Sequence, residues 1–103
     1  MTRDELIEAM ARAIDPAAFE SLNWFARIGS AANKRTLNRV EAARANATAA
    51  LAAIEAAGCV VAPKEPTVDQ LHAAQMAWLD DPRRQSGTIY RAALAASPLA
   101  KDA

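Results

Sequence analysis

The chain has 103 residues and a formal net charge of +0, with 12 Lys and Arg balanced by 12 Asp and Glu. That balance argues against a general polyanion binder, the lone cysteine excludes an intrachain disulfide, and no run approaches the ~20 apolar residues of a membrane span. Alanine fills 28 positions, so one small domain with a lean core is expected, since alanine favours helix but buries little area.

The opening "MTRDELIEAM" places acids where a signal peptide is apolar, so a soluble, cytoplasmic protein is expected. Thr2 and Glu5 match a capping box, and Leu6, Ile7, Met10 and Ile14 follow as one helical apolar stripe. Asp15-Pro16 ends that helix and starts a second, with Asp15 as N-cap and Pro16 at the first helical position. The second helix carries Phe19, Leu22, Phe25 or Ala26, and Ile28, and stops near Gly29.

Ser30 is read as the N-cap of the longest helix, residues 31 to 57. Leu37, Val40, Ala47, Leu51 and Ile54 form a heptad-like seam interrupted by Arg44. An arginine there calls for Glu41 or Glu55 as a partner along the helix, or else snorkels with its stem over alanines. If the seam is a homodimer interface, Arg44 helps set its register. Gly58 supplies the left-handed residue after the helix.

The stretch "CVVAPKEPTVDQL" breaks the alanine-rich pattern. Pro63 and Pro66 hold Ala62 and Glu65 extended, and Thr67 opens a fourth helix with Gln70 completing a capping box. A stiff corner accounts for every unusual residue in it. Val68, Leu71, Ala74, Gln75, Trp78 and Leu79 then repeat at helical spacing, which predicts a buried face. Asp80-Asp81-Pro82 ends this helix, and "RRQSGT" is a polar connection or a weak first turn. The last helix is expected over 88 to 96, on Ile89, Ala93 and Ala96 with Tyr90 and Leu94 beside them. Ser97-Pro98 stops it and leaves 97 to 103 as a fraying tail.

Catalytic chemistry finds little support. His72 and Cys59 are the single histidine and cysteine, too few for a metal site. A Cys-His pair would lack a third orienting group, and Cys59 beside two valines reads as a small buried thiol. Glycines are isolated at 29, 58 and 87, so no phosphate-cradling loop exists. The acid pairs Asp4-Glu5 and Asp80-Asp81 sit at helix boundaries, where acids serve the helix ends. No catalytic residue, metal or cofactor is expected.

The strongest charge feature is Arg27, Lys34, Arg35, Arg39 and Arg44, offset only by Glu41. With Arg35 and Arg39 four apart, this could be a phosphate-contacting ridge. A solvated helix face is preferred, because the chain is neutral and no aromatic interleaving accompanies the cations. A helix-turn-helix is not supported, since Gly29-Ser30 feeds a helix too long for a recognition helix. Trp24, Trp78 and Tyr90 are read mainly as core, with Trp78 and Tyr90, beside Arg44, the candidate anchors for a partner protein.

The segments "PKEPTVDQLHAAQMAWL" and "IYRAALAASP" carry one resemblance. Through Pro63, Pro66, Thr67, Leu71 and Ala74, and through Tyr90, Arg91, Ala92, Leu94 and Pro98, roughly the C-terminal 40 residues resemble small accessory proteins of tailed bacteriophages and prophages of proteobacteria. The resemblance implies a phage setting and transfers no site residue. The expectation is therefore a single all-α domain over 1–103, a small bundle of four to five helices with one long central helix and a proline-rich extended corner. Its expected role is a non-enzymatic binder of a host protein, inhibiting or redirecting a defence or nucleic-acid machine. Two alternatives stand beside it: a nucleic-acid-binding regulator using residues 27–44, and a minor virion or assembly component.

Overall fold

The computed structural model describes residues 1–100. It is all-α: α1 (Arg3–Ile14), α2 (Pro16–Arg27), α3 (Lys34–Ala56), α4 (Val68–Asp80) and α5 (Ser86–Ala95), with no strand among the described residues. The chain packs as two compact units, one spanning Asp4–Cys59 and the other combining Met1–Arg3 with the chain from Val60 onward.

In the unit Asp4–Cys59, Asp15 performs two tasks. Its Oδ1 accepts from the Ala18 N–H at 3.3 Å, capping α2 above Pro16. The same carboxylate receives Arg39 of α3 in a two-pronged pair, Nε to Oδ2 at 3.0 Å and Nη2 to Oδ1 at 2.6 Å. The start of α2 is thereby tied to α3. Ala11, Ala18, Phe19, Val40, Ala43 and Ala47 make the core, flanked by Ile7, Met10 and Leu22. Phe19, 3% exposed, is its one aromatic ring.

The buried line on α3 is Thr36, Val40, Ala43, Ala47 and Leu51. Val40, Ala47 and Leu51 are the expected seam residues, but Leu37 is half exposed and Ile54 is partly so. At 3.6 residues per turn the line passes through Thr36 and Ala43, leaving Leu37 and Arg44 on its flank. Arg44 consequently does not turn to Glu41 or Glu55. It reaches across to α1 and grips Glu8, Nε to Oε2 and Nη2 to Oε1, both at 2.9 Å. Its guanidinium lies 5.7 Å from the Phe19 ring centre and that of Arg12 lies 5.0 Å away, so two cations attend the one core ring. With Val40 and Ala47 packed inside this core, the seam is used within the chain.

Both long turns out of this unit's helices close in the same way. Gly29 (φ 70°) and Gly58 (φ 84°) adopt left-handed backbone. Gly29 N–H donates to the Ala26 carbonyl and Ser30 N–H to Phe25, just as Gly58 donates to Glu55 and Cys59 to Ile54. Ser30 is thus spent on closing α2 and does not cap α3. Asn33 does, its side chain accepting from the Thr36 N–H at 2.8 Å. Cys59, placed just beyond the same kind of closure, is exposed rather than a buried thiol.

In the other unit, α4 and α5 pair closely. The capping box forms as expected, Gln70 N–H to Thr67 Oγ1 at 3.2 Å and Thr67 N–H to Gln70 Oε1 at 2.9 Å. Buried Gln70 also donates its amide to the Ala93 carbonyl of α5 at 3.2 Å. One side chain therefore starts α4 and docks it. Between α4 and α5, Asp81 accepts from the N–H groups of Arg83 and Gln85 at 2.9 and 3.1 Å. That organised turn starts α5 at Ser86, two residues before the expected position. The stretch 97–99 is not a frayed tail. Ser97 and Leu99 are buried, Leu99 N–H donates to Ser97 Oγ, and Arg3 donates to the Pro98 and Leu99 carbonyls. The last three residues of the expected tail, 101–103, lie outside the described residues.

Replacing Phe19 by Ala should cost about 3–5 kcal/mol, a large share of the ~5–15 kcal/mol typical of a whole domain. Urea denaturation should show a clearly lowered midpoint, and an unchanged midpoint would refute Phe19 as the core plug. Acid should act through Glu8 and Asp15. Arg44 holds the Glu8 carboxyl below its ordinary value, chiefly by its hydrogen bonds and against some desolvation. Arg39 does the same for Asp15, helped by the Ala18 N–H. A carboxyl depressed on folding stabilises the fold above its ordinary value and loses that contribution as pH falls through the depressed one. Stability should therefore decline as pH drops below about 4. Glu8→Gln with Asp15→Asn should flatten that decline, while Asn keeps the α2 cap. Asp81 acts in the same direction as Glu8 and Asp15, its carboxyl lowered by the N–H groups of Arg83 and Gln85.

Candidate functional site

Among the described residues, no group of three or more His, Cys, Asp or Glu could hold a metal ion. No helix among them is long and apolar enough to cross a membrane. What the fold does present is two surfaces, one on each unit.

The first arises from how the arginines are distributed. Arg39 and Arg44, expected on a free basic ridge and at an interface, are instead bound to Asp15 and Glu8 within the core unit. The ridge therefore loses its middle. Arg27, Lys34 and Arg35 remain exposed, and none of them enters an ion pair among the described residues. They gather where α2 ends and α3 begins. A broad, open groove of about 1150 Å³ lies there, lined by Asn23, Trp24, Phe25, Arg27, Asn33 and Thr36 with Glu20 and Ser21. Lys34 and Arg35 occupy the first turn of α3, between groove residues Asn33 and Thr36. Trp24 is 50% exposed and its ring meets Phe25 at 5.1 Å and 75°, edge to face.

An exposed ring therefore lines the same groove as Arg27, contrary to the sequence reading. Its signal was the spacing of Trp24 and Arg27, three apart on one helix and hence neighbours on its surface. Reading Trp24 as core concealed it.

The second surface is the outer face of α4. Val68, Leu71, Trp78 and Leu79 were expected to be buried, and all four are exposed, Leu71 at 58% and Trp78 at 42%. The protected positions are Gln70, Ala73, Ala74 and Ala77, which follow the 3.6-residue period on the opposite side. Alanine won the inner face because α4 and α5 approach closely, and a small side chain permits a shorter distance between axes. Val68, Leu71, Gln75 and Leu79 form the outer stripe, with His72 among them and Met76 and Trp78 at its margins. Arg84, in left-handed backbone (φ 50°), stacks its guanidinium 4.0 Å from the Trp78 ring centre. Tyr90 on α5 is 64% exposed. Tyr90 and the part of Trp78 that Arg84 leaves open are thus exposed, whereas Arg44 is engaged within its own unit.

Comparison with protein-family models, with curated proteins and with solved structures finds no match to this chain.

Proposed function

We propose that this chain is a non-enzymatic binding module whose outer α4 face receives an amphipathic helix of a partner protein. The observation that carries the reading is the inversion of α4, with alanines inside and Val68, Leu71, Trp78 and Leu79 outside. Exposed single apolar residues are ordinary, but a stripe of several on one helix marks an interaction surface. Anchors of this kind, Trp above all, dominate binding energy. A groove-docking helix recognises such a stripe through side chains at i, i+3, i+4 and i+7.

Charge narrows the partner further. Asp69 and Asp80, eleven residues apart, fall on the same edge of α4, and the helix itself carries no Lys or Arg. The complementary helix carries an apolar stripe bordered by Lys or Arg. The setting proposed with it is that of a phage or prophage accessory protein acting on a host protein, on the strength of the resemblance in the C-terminal segments. A continuous phosphate ridge over residues 27–44 is disfavoured, because Arg39 and Arg44 are committed to carboxylates.

Tagged protein is passed through nuclease-treated proteobacterial lysate, beside Leu71→Asp/Leu79→Asp and Asp69→Lys/Asp80→Lys variants. All four positions are exposed, so circular dichroism should be unchanged. A stoichiometric partner lost with the first variant, each apolar anchor being worth more than ~1 kcal/mol, and weakened by the charge reversal of the second is expected. Capture that survives both variants would remove α4 as the docking face. Light scattering that instead gives a dimer dissociated by Leu71→Asp/Leu79→Asp would make the occupant a second copy and overturn the heterologous reading.

A further inference from the structure

The groove between the end of α2 and the start of α3 collects features that folding does not require. Helices gain from acids in the first turn and lose from cations there, because unbonded N–H groups make that end positive. α1 and α4 obey this with Asp4, Glu5 and Asp69. α3 does not: its first turn has no acid and holds Lys34 and Arg35. Arg27 is a third cation and, of the three, the one that lines the groove itself, where Glu20 is the one acid. Elsewhere in the same unit Arg39 and Arg44 are each given a carboxylate. Three unpaired cations beside the positive end of a 23-residue helix therefore form a concentrated positive site in a neutral chain.

Beside them stands Trp24, half exposed and braced edge-on by Phe25. An indole offers a flat π face, Arg27 lines the same groove, and Lys34 and Arg35 stand at its edge on the first turn of α3. Asn23 and Asn33 also line the groove, though the Asn33 side-chain oxygen is already engaged by the Thr36 N–H. An acidic peptide would satisfy the charges but leave the indole face unused. A duplex would satisfy the charges but keep its bases stacked inside the helix. A single strand satisfies both, since its unstacked bases pair with aromatic faces while its phosphates meet Lys and Arg.

We infer that this groove binds single-stranded nucleic acid, one base stacking on Trp24 while adjoining phosphates contact Arg27, Lys34 and Arg35. The surface is separate from the α4 face and stands or falls without it. Its size limits it to a short segment, so it binds weakly alone and reads little sequence. With three phosphates neutralised on a single strand, log K should fall against log salt with a slope near about −2.

Trp78→Phe leaves Trp24 as the single tryptophan of a chain that has two, so its fluorescence reports the groove directly. Oligo(dT) and oligo(U) of about eight nucleotides are titrated between roughly 50 and 200 mM salt. Saturable quenching with a slope near about −2 is expected, and Lys34→Ala and Arg35→Ala should each flatten the slope by about 0.7. Trp24→Ala, read by anisotropy of a labelled strand, should weaken binding by about fivefold or more, the stacking of one base being worth ~1–3 kcal/mol. Stronger quenching by one of the two oligomers assigns the strand as DNA or RNA. If Trp78→Phe proves unstable, the difference in quenching between the parent chain and Trp24→Phe gives the same reading. Absence of quenching at low salt overturns the inference, as does a slope indifferent to Lys34 and Arg35. Duplex DNA binding equally well would make the site a phosphate contact without stacking, and equal quenching by a polyglutamate peptide would assign it to an acidic protein segment. Either result overturns it.

Discussion

The Asp4–Cys59 unit depends on the seating of Phe19 against the small-residue face of α3. Ala43 and Ala47 let α2 and its ring come close, and Ala11 and Ala18 leave room on the other side. With so many alanines, one buried ring supplies a large share of the apolar area withdrawn from water. The surrounding pairs serve that seating. Glu8 anchors Arg44, whose guanidinium overlies the ring from the α3 side, and Arg12, 3.9 Å from Glu8, overlies it from α1. Asp15 and Arg39 fasten the beginning of α2, four residues before the ring. Each pair is partly exposed and worth little alone, but their bidentate geometry fixes the approach of the helices to the ring.

The same reliance on alanine shapes the α4–α5 unit and has a different consequence there. An alanine interface brings two helices near each other, and Gln70 can then span both, capping one and bonding the other. An interface made this way has no space for Leu71, Trp78 or Leu79. Large apolar residues are left on the outside of a helix whose inside is already filled. Helix packing is thus the direct cause of the surface assigned here to a partner. The proline corner before α4 contributes by delivering Thr67 in extended backbone (φ −76°, ψ 163°), the conformation an N-cap needs.

Charge is partitioned in a comparable manner. The chain is neutral overall, yet the cations of α2 and α3 divide into those consumed by carboxylates and those left without one among the described residues. Arg39 and Arg44 belong to the first group because the α3 turns they occupy face α1 and the head of α2. Arg27, Lys34 and Arg35 belong to the second because the turn from α2 into α3 brings no acid beside them except Glu20. Zero net charge and a local positive site are compatible for that reason.

The sequence alone determined the helices and their punctuation, because these rest on contacts within a few residues. Asp15-Pro16, Gly29, Gly58 and the Thr67–Gln70 box each satisfy backbone groups in their own turn, and each acts as its residue type demands. Where two local solutions competed, as with Ser30 and Asn33 before α3, the closing of α2 took Ser30 and only the three-dimensional turn revealed it. Which side of a helix is buried was decided by the tertiary structure. Periodicity marks an apolar stripe on α4 but cannot tell that an alanine stripe opposite it packs better, since the choice depends on how closely α5 approaches. Partner choice was likewise invisible: Arg44 to Glu8 and Arg39 to Asp15 are 36 and 24 residues apart in the chain. Long-range charge pairing and helix-face selection are properties of packed elements, and no window of sequence contains them.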